Sequence, residues 1–158
     1  MADGQADVGL DTEFSHVVIA VSDMERALAF YRDVLGMDVV FDRELAGDPF
    51  AGRAVGGLVG GVSIELLHLS GQSAADASVA TYKPVGVQVI SFSVPDLDHS
   101  HAVIAAAVGD RAQEPFDIEG VRMFFVTDPD GTMIEFVQFP GGARNPAELH
   151  RGIPGADV

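Results

Sequence analysis

The chain has 158 residues, enough for one domain with a real core or for two small halves fused into one unit. Its 24 acidic against 9 basic residues give a formal charge of −15 with no basic stripe, which excludes a nucleic-acid backbone as partner. Cysteine is absent, so disulfides, thiolate ligands and cysteine nucleophiles are excluded, and any metal site must use nitrogen and oxygen.

Residues 1–12, rich in Asp, Gly and Ala, form an expected disordered leader without the apolar run of a signal peptide. No stretch reaches the ~18 apolar residues that would span a bilayer, so no membrane partner and a cytoplasmic location are expected. Ser15 to Val21 has strand composition. Ser22 can cap a helix with Glu25 as its box partner, and Ala27, Leu28, Tyr31, Val34 and Leu35 recur at helical spacing before Gly36. Strands are predicted over 37–45, 50–59 and 62–69, separated by Gly47-Asp48-Pro49 and Gly60-Gly61. After a small, Ala-rich linker at 70–83, with room for a short helix over 74–78, the order repeats: a strand over 87–94, a helix over 95–108 ending at Gly109, strands near 111–116 and 121–127, then the Asp128-Pro129-Asp130-Gly131 turn and a last strand over 132–139. Residues 140–158, with three prolines, are expected to be an irregular tail.

The repeat is visible in the residues. Ser63-Ile64-Glu65-Leu66-Leu67-His68-Leu69 is echoed by Met133-Ile134-Glu135-Phe136-Val137-Gln138-Phe139, 70 positions later, and Val21-Ser22-Asp23-Met24-Glu25 by Val94-Pro95-Asp96-Leu97-Asp98, 73 positions later. Two anchors that nearly agree favour an internal duplication. Alternate strand residues share a face, so Glu65 lies with Ser63, Leu67 and Leu69, and Glu135 with Met133, Val137 and Phe139. A carboxylate among apolar residues needs a cation, a hydrogen-bond network or a metal beside it. Two in matching places suggest one shared partner.

The tandem βαβββ order resembles the vicinal oxygen chelate superfamily, which holds glyoxalase I, methylmalonyl-CoA epimerase, extradiol dioxygenases, and fosfomycin- and bleomycin-resistance proteins. The carrying stretches are Phe14 to Val21, Ala27 to Met37, Ile64-Glu65-Leu66 and Asp128 to Glu135. The resemblance implies an α+β fold in which two modules, 13–69 and 84–139, make an open, cupped mixed sheet with helices outside. It also implies a divalent cation held at positions that map onto His16, Glu65, Val89 and Glu135. Valine cannot coordinate, so His16, Glu65 and Glu135 remain as ligands, a set suited to Zn, Ni, Co, Mn or Fe but without the second histidine of the dioxygenase triad. Open coordination positions would let two substrate oxygens chelate, which acidifies the adjacent C–H bond. By that resemblance Glu135 is the first candidate base and Glu65 the second, and the reaction is that of a lyase, isomerase or epimerase on a small-molecule substrate, in a homodimer. The alternative is a metal-free, antibiotic-sequestering binding protein.

Other residues are assigned more ordinary places. His68 faces away from Glu65; His99, His101 and His150 are expected on solvated surface; Tyr31 is expected in the core; the Asp128 turn is structural; and Gly56, Gly57, Gly60 and Gly61 lack the GKS or GKT of a phosphate loop. Arg43, Arg53 and Arg122 are candidates to anchor a substrate carboxylate or phosphate.

Overall fold

The protein is described by a computed structural model over residues 12–47, 51–71 and 85–151. The leader up to residue 11, Phe50 and the linker with its candidate helix over 74–78 lie outside the described residues. Two successive βαβββ units make two mixed four-stranded sheets. The first unit has β1 (Val17–Ala20), α1 (Met24–Tyr31), β2 (Asp38–Leu45), β3 (Gly52–Val59) and β4 (Val62–Leu69). The second has β5 (Ile90–Ser93), α2 (Leu97–Val108), β6 (Phe116–Ile118), β7 (Val121–Thr127) and β8 (Met133–Gln138). The sheet orders, β1-β4-β3-β2 and β5-β8-β7-β6, are identical once renumbered. β1 runs parallel to β4 and β5 parallel to β8, which requires the crossover helices; the remaining pairs are antiparallel hairpins.

The helix caps differ in detail from the sequence expectation. Asp23, not Ser22, caps α1 by accepting from the Arg26 N–H at 3.0 Å, and Asp96 does the same for α2 through His99 at 2.9 Å. Val34 and Leu35 fall in the turn after α1 rather than in the helix. The strand expected over 111–116 begins later, at Phe116, because residues 109–111 form a 3-10 turn and only Ala112 bridges to Val126. The tail carries a 3-10 turn at Pro140–Gly142 and a short helix, α3 (Pro146–His150), capped by Asn145.

One core serves both units. Ile19, Ile64 and Leu66 face α1 residues Leu28 and Phe30, and the same cluster continues through Phe92, Phe124, Ile134 and Phe136 beneath Leu97 and Ile104 of α2. The faces bearing Ile64 and Ile134 are therefore the helix-covered faces, and alternation puts Glu65 and Glu135 on the opposite ones. The β3–β4 and β7–β8 turns each also reach the other unit. Gly60 and Gly61, both with positive φ, make a two-residue turn whose Gly60 lies 3.3 Å, at the position of a Cβ, from the Phe92 ring.

The longer turn of the second unit reaches further. Asp130 accepts hydrogen bonds from the Ser22 N–H at 2.9 Å and from its hydroxyl, and Arg26 donates to the Pro129 carbonyl at 3.1 Å. Ser22 thus ties the units together instead of capping α1. Fully buried Tyr31 donates at 2.9 Å to buried Asp128, which also accepts from the N–H groups of Asp130 and Thr132. Burial raises the Asp128 carboxyl above its usual range, and these hydrogen bonds oppose that rise. Burial first, then the neighbouring Asp128 charge, pushes the Tyr31 phenol far up, so it stays a donor.

A candidate site on the faces turned from the helices

Sheet register fixes what surrounds Glu65. It lies between Val18 on β1 and Gly56 on β3, and Gly56 in turn pairs with Phe41 on β2. His16, two residues before Val18, belongs by alternation to the same side, where it is exposed and its Nδ1 pairs with the Ser15 hydroxyl at 2.8 Å. Glu65 is half-buried in mid-strand. Glu135 is its counterpart on β8, also half-buried, between Ser91 on β5 and Phe125 on β7. The Ser91 hydroxyl donates to Glu135 Oε2 at 2.5 Å. Ser91 stands where Val18 stands in the first unit, and sequence reading did not single it out; its place beside Glu135 follows only from the parallel register.

Glu65 thus stands on the first sheet, with His16 just before its β1 strand, while Glu135 stands on the second sheet. Among the described residues, no three His, Asp or Glu side chains converge into a group that could hold a metal. Val89, at the position equivalent to His16, supplies no donor and lines a cavity of about 500 Å³ between the outer edges of β1 and β5, with Val18, Val87, Gln88 and Met133. The donor chemistry of the three residues fits a divalent cation, two from one face and one from the other, provided a Glu65 face meets a Glu135 face.

Both faces have apolar margins. Val18 and Leu58 flank Glu65 at 48% and 45% exposure, and Phe116 and Ile118 lie on the Glu135 face at 38% and 55%. Exposed residues of this size around half-buried carboxylates mark surface that suits a ligand or a partner.

The candidate anchors separate clearly. Arg53 bonds to Glu25 of α1 at 2.6 Å and doubly to Asp42; Arg122 bonds doubly to Asp98 of α2. Both lie on the helix side and hold those aspartates below the usual carboxylate range. They brace helices and are not anchors for a ligand on the Glu65 face. Arg43 differs, being exposed and stacked on Phe41. His68 donates from Nδ1 to the Val21 carbonyl at 2.9 Å, on the helix side as expected, and Gln138 repeats the tie through Pro95 and Leu97. His101, expected on the surface, is half-buried instead and stands edge-on to Phe124 with ring centroids 5.0 Å apart, because it occupies the inward stripe of α2.

Comparison with known proteins agrees with this architecture. Residues 13–136 match the profile of the Glyoxalase/Bleomycin resistance protein/Dioxygenase superfamily. A probable lactoylglutathione lyase of Vibrio cholerae is 31% identical over 128 residues, covering 78% of this chain and 88% of its own length. Lactoylglutathione lyase GLX1 of Arabidopsis thaliana is 28% identical over 131 residues, covering 79% of this chain; the match spans only 44% of the plant protein. A putative lactoylglutathione lyase of Brassica oleracea is likewise matched over 44% of its length. Among solved structures, a glyoxylase/bleomycin resistance protein/dioxygenase domain from Frankia superposes with a TM-score of 0.65 at 21% identity, over 85% of this chain and 96% of that one. A fosfomycin resistance protein, FosX, of Listeria monocytogenes gives 0.65 at 18% identity, over 89% and 99%. With a profile matched over most of its length and the duplicated βαβββ sheets to go with it, the chain belongs to the glyoxalase/bleomycin resistance/dioxygenase superfamily.

Proposed function

We propose that this protein is a divalent-metal-dependent lyase of the lactoylglutathione lyase type, working as a homodimer in which the Glu65 face of one copy meets the Glu135 face of the other. The observation that carries the proposal is the placement of Glu65 and Glu135 at equal positions of two like sheets, each half-buried and turned from its helix. The relatives' name supplies the substrate class, S-lactoylglutathione, a 2-hydroxyacyl thioester with oxygens on adjacent carbons. The apolar margins around the two carboxylates are what a second copy would cover, and a meeting of the faces would join His16 and Glu65 with the other copy's Glu135.

His16 and Glu65 would hold the cation, with Glu135 completing the donor set. A bound divalent ion would supply Lewis acidity, holding the two vicinal oxygens and stabilising negative charge as a C–H proton leaves. Glu135 is tethered by Ser91 through one oxygen, which fixes the direction of the other. That second oxygen takes the proton from the carbon beside the carbonyl and returns it to the neighbouring carbon; Glu65 is the second candidate for this role. Among the described residues, no helix is long and apolar enough to cross a membrane. A glutathione conjugate as substrate is in keeping with a cytoplasmic location, where the glutathione pool is reduced.

The test is elemental analysis of untagged protein together with assay of the lyase reaction. Stoichiometric metal that is lost, with turnover, in Glu65→Gln and Glu135→Gln supports the proposal. A protein that converts no 2-oxoaldehyde–glutathione adduct after reloading with any of the five metals refutes it. Val89, with no donor at the third of the four expected ligand positions, favours one second reading, a metal-free binder of the antibiotic-sequestering kind; tight drug binding that a chelator leaves unchanged would establish that instead.

A further inference from the structure

We infer that Arg43 is the anion-binding residue of the Glu65 face, taking a carboxylate or phosphonate of the bound ligand and so setting substrate specificity. This rests on the proposed function only in placing the ligand on that face.

Register carries the first step. Arg43 pairs with Ala54, and Ala54 with Leu67, one same-face position along β4 from Glu65. Two strand spacings across and one residue pair along put the two Cα atoms roughly 12 Å apart. A bulge in β2 between Val39 and Phe41 makes this possible. Val39 pairs with Gly57 on the helix side, whereas Phe41 pairs with Gly56 on the Glu65 side, so the extra residue turns both Phe41 and Arg43 toward the carboxylate.

The arginine is held without being neutralised. Its guanidinium carbon lies 5.2 Å from the centroid of the Phe41 ring, and among the described residues no oxygen accepts from it. Arg26, Arg53, Arg111 and Arg122, by contrast, all donate to protein oxygens. Stacking fixes a guanidinium plane while leaving its edge N–H groups free, the fork that grips an oxyanion in bidentate fashion. Phe41 is itself seated over Gly56, where a Cβ would stand 2.2 Å from the ring. The bare glycine therefore makes room for the aromatic shelf on which the cation rests.

The second unit has no such device. Phe116 pairs with Met123 as Arg43 pairs with Ala54, and it packs on Phe125 with ring centroids 5.7 Å apart. One face is basic at this place and the other aromatic, so the ligand has an anionic end and an apolar one. In a chain with a formal charge of −15, an anionic ligand also needs a local cation to offset the general repulsion.

The test measures binding of S-lactoylglutathione and of phenylphosphonate, each against its dimethyl ester, in which every acidic group is blocked, by calorimetry with the unmodified protein and with Arg43→Ala, Arg43→Lys, Gly56→Ala and, as a control, Arg151→Ala. At least one anion should bind the unmodified protein about tenfold or more tighter than its ester, with the preference shrinking as salt rises. Arg43→Ala should abolish that preference and leave ester binding unchanged; Arg43→Lys should keep part of it, Gly56→Ala should weaken it by displacing Phe41, and Arg151→Ala should change nothing. An unmodified protein that favours neither anion over its ester, or an Arg43→Ala variant that weakens acid and ester equally, overturns the inference. Arg43-dependent phosphonate binding without glutathione-adduct turnover would leave Arg43 standing and refute the lyase proposal; turnover untouched by Arg43→Ala with no anion preference would do the reverse.

Discussion

Glu135 and Ser91 are adjacent across two parallel strands, and that adjacency gives the hydroxyl a measurable task. Removing it by Ser91→Ala frees the tethered carboxylate oxygen, and the lost charge-assisted bond corresponds to about 1.5–3 kcal/mol. If the bond orients the base, kcat should fall about 10- to 100-fold with KM nearly unchanged, and Ser91→Thr should recover part of it. Equal falls in a thermal midpoint and in activity would assign Ser91 to stability instead. If Glu135 is the base, Glu135→Gln should cost more, about 100- to 10,000-fold in kcat, because it would remove the proton acceptor itself. The two carboxylates were visible in sequence as charges out of place in apolar strands. Ser91 was not, since a serine carries no signal until the register sets it against Glu135; His101 was misplaced for a related reason, because its helical stripe matters more than its polarity.

At the level of elements, the two units repeat their bracing more faithfully than their surfaces. Arg53 with Glu25 and Arg122 with Asp98 each fasten a third strand to the first turn of a helix, and His68 and Gln138 each fasten a fourth strand to the loop that enters it. The turns diverge: two glycines suffice in one, while the other places a buried carboxylate against a tyrosine 97 positions away. Tyr31→Phe should destabilise the protein by about 1.5–3 kcal/mol at neutral pH. The sign with pH follows from the raised Asp128 carboxyl. A carboxyl with a folded-state value above its unfolded one costs stability progressively as pH rises from the unfolded value through the folded one, and losing the Tyr31 donor raises the folded value further. The deficit of Tyr31→Phe should therefore shrink as pH falls from neutral through these raised folded values and be smallest by about pH 4, as read from denaturant midpoints at acidic and neutral pH; a constant deficit would mean that the phenol contributes packing alone. The order of elements was legible from periodicity and from Gly and Pro punctuation. The shift of β6 and the bulge in β2 were not, because both depend on which partner residues a strand finds.

For the whole molecule, the decisive matter is how many chains build one site. If Glu65 of one copy works with Glu135 of another, a mixed dimer of Glu65→Gln and Glu135→Gln chains carries one site with both substitutions and one with neither. Mixing the two inactive variants after unfolding and refolding should then restore activity, up to half that of the unmodified dimer in each mixed dimer. Sites built within single chains would give no recovery. The family resemblance and the duplication were readable from the sequence because they rest on repeated local patterns. Which faces meet was not, since the shared core commits one side of each sheet to the helices and no local pattern says what the other side finds.

Fusion of two like halves in one chain has a consequence for what such a scaffold can become. Two separate, identical halves must change in step, since one gene writes both. Joined end to end, they are free to drift apart: here the imidazole at position 16 has no twin at 89, and the guanidinium at 43 has an aromatic ring as its counterpart in the sister half. A symmetric cradle has thereby acquired a head and a tail, and a molecule lying in it can be held in one end-to-end orientation and not the other.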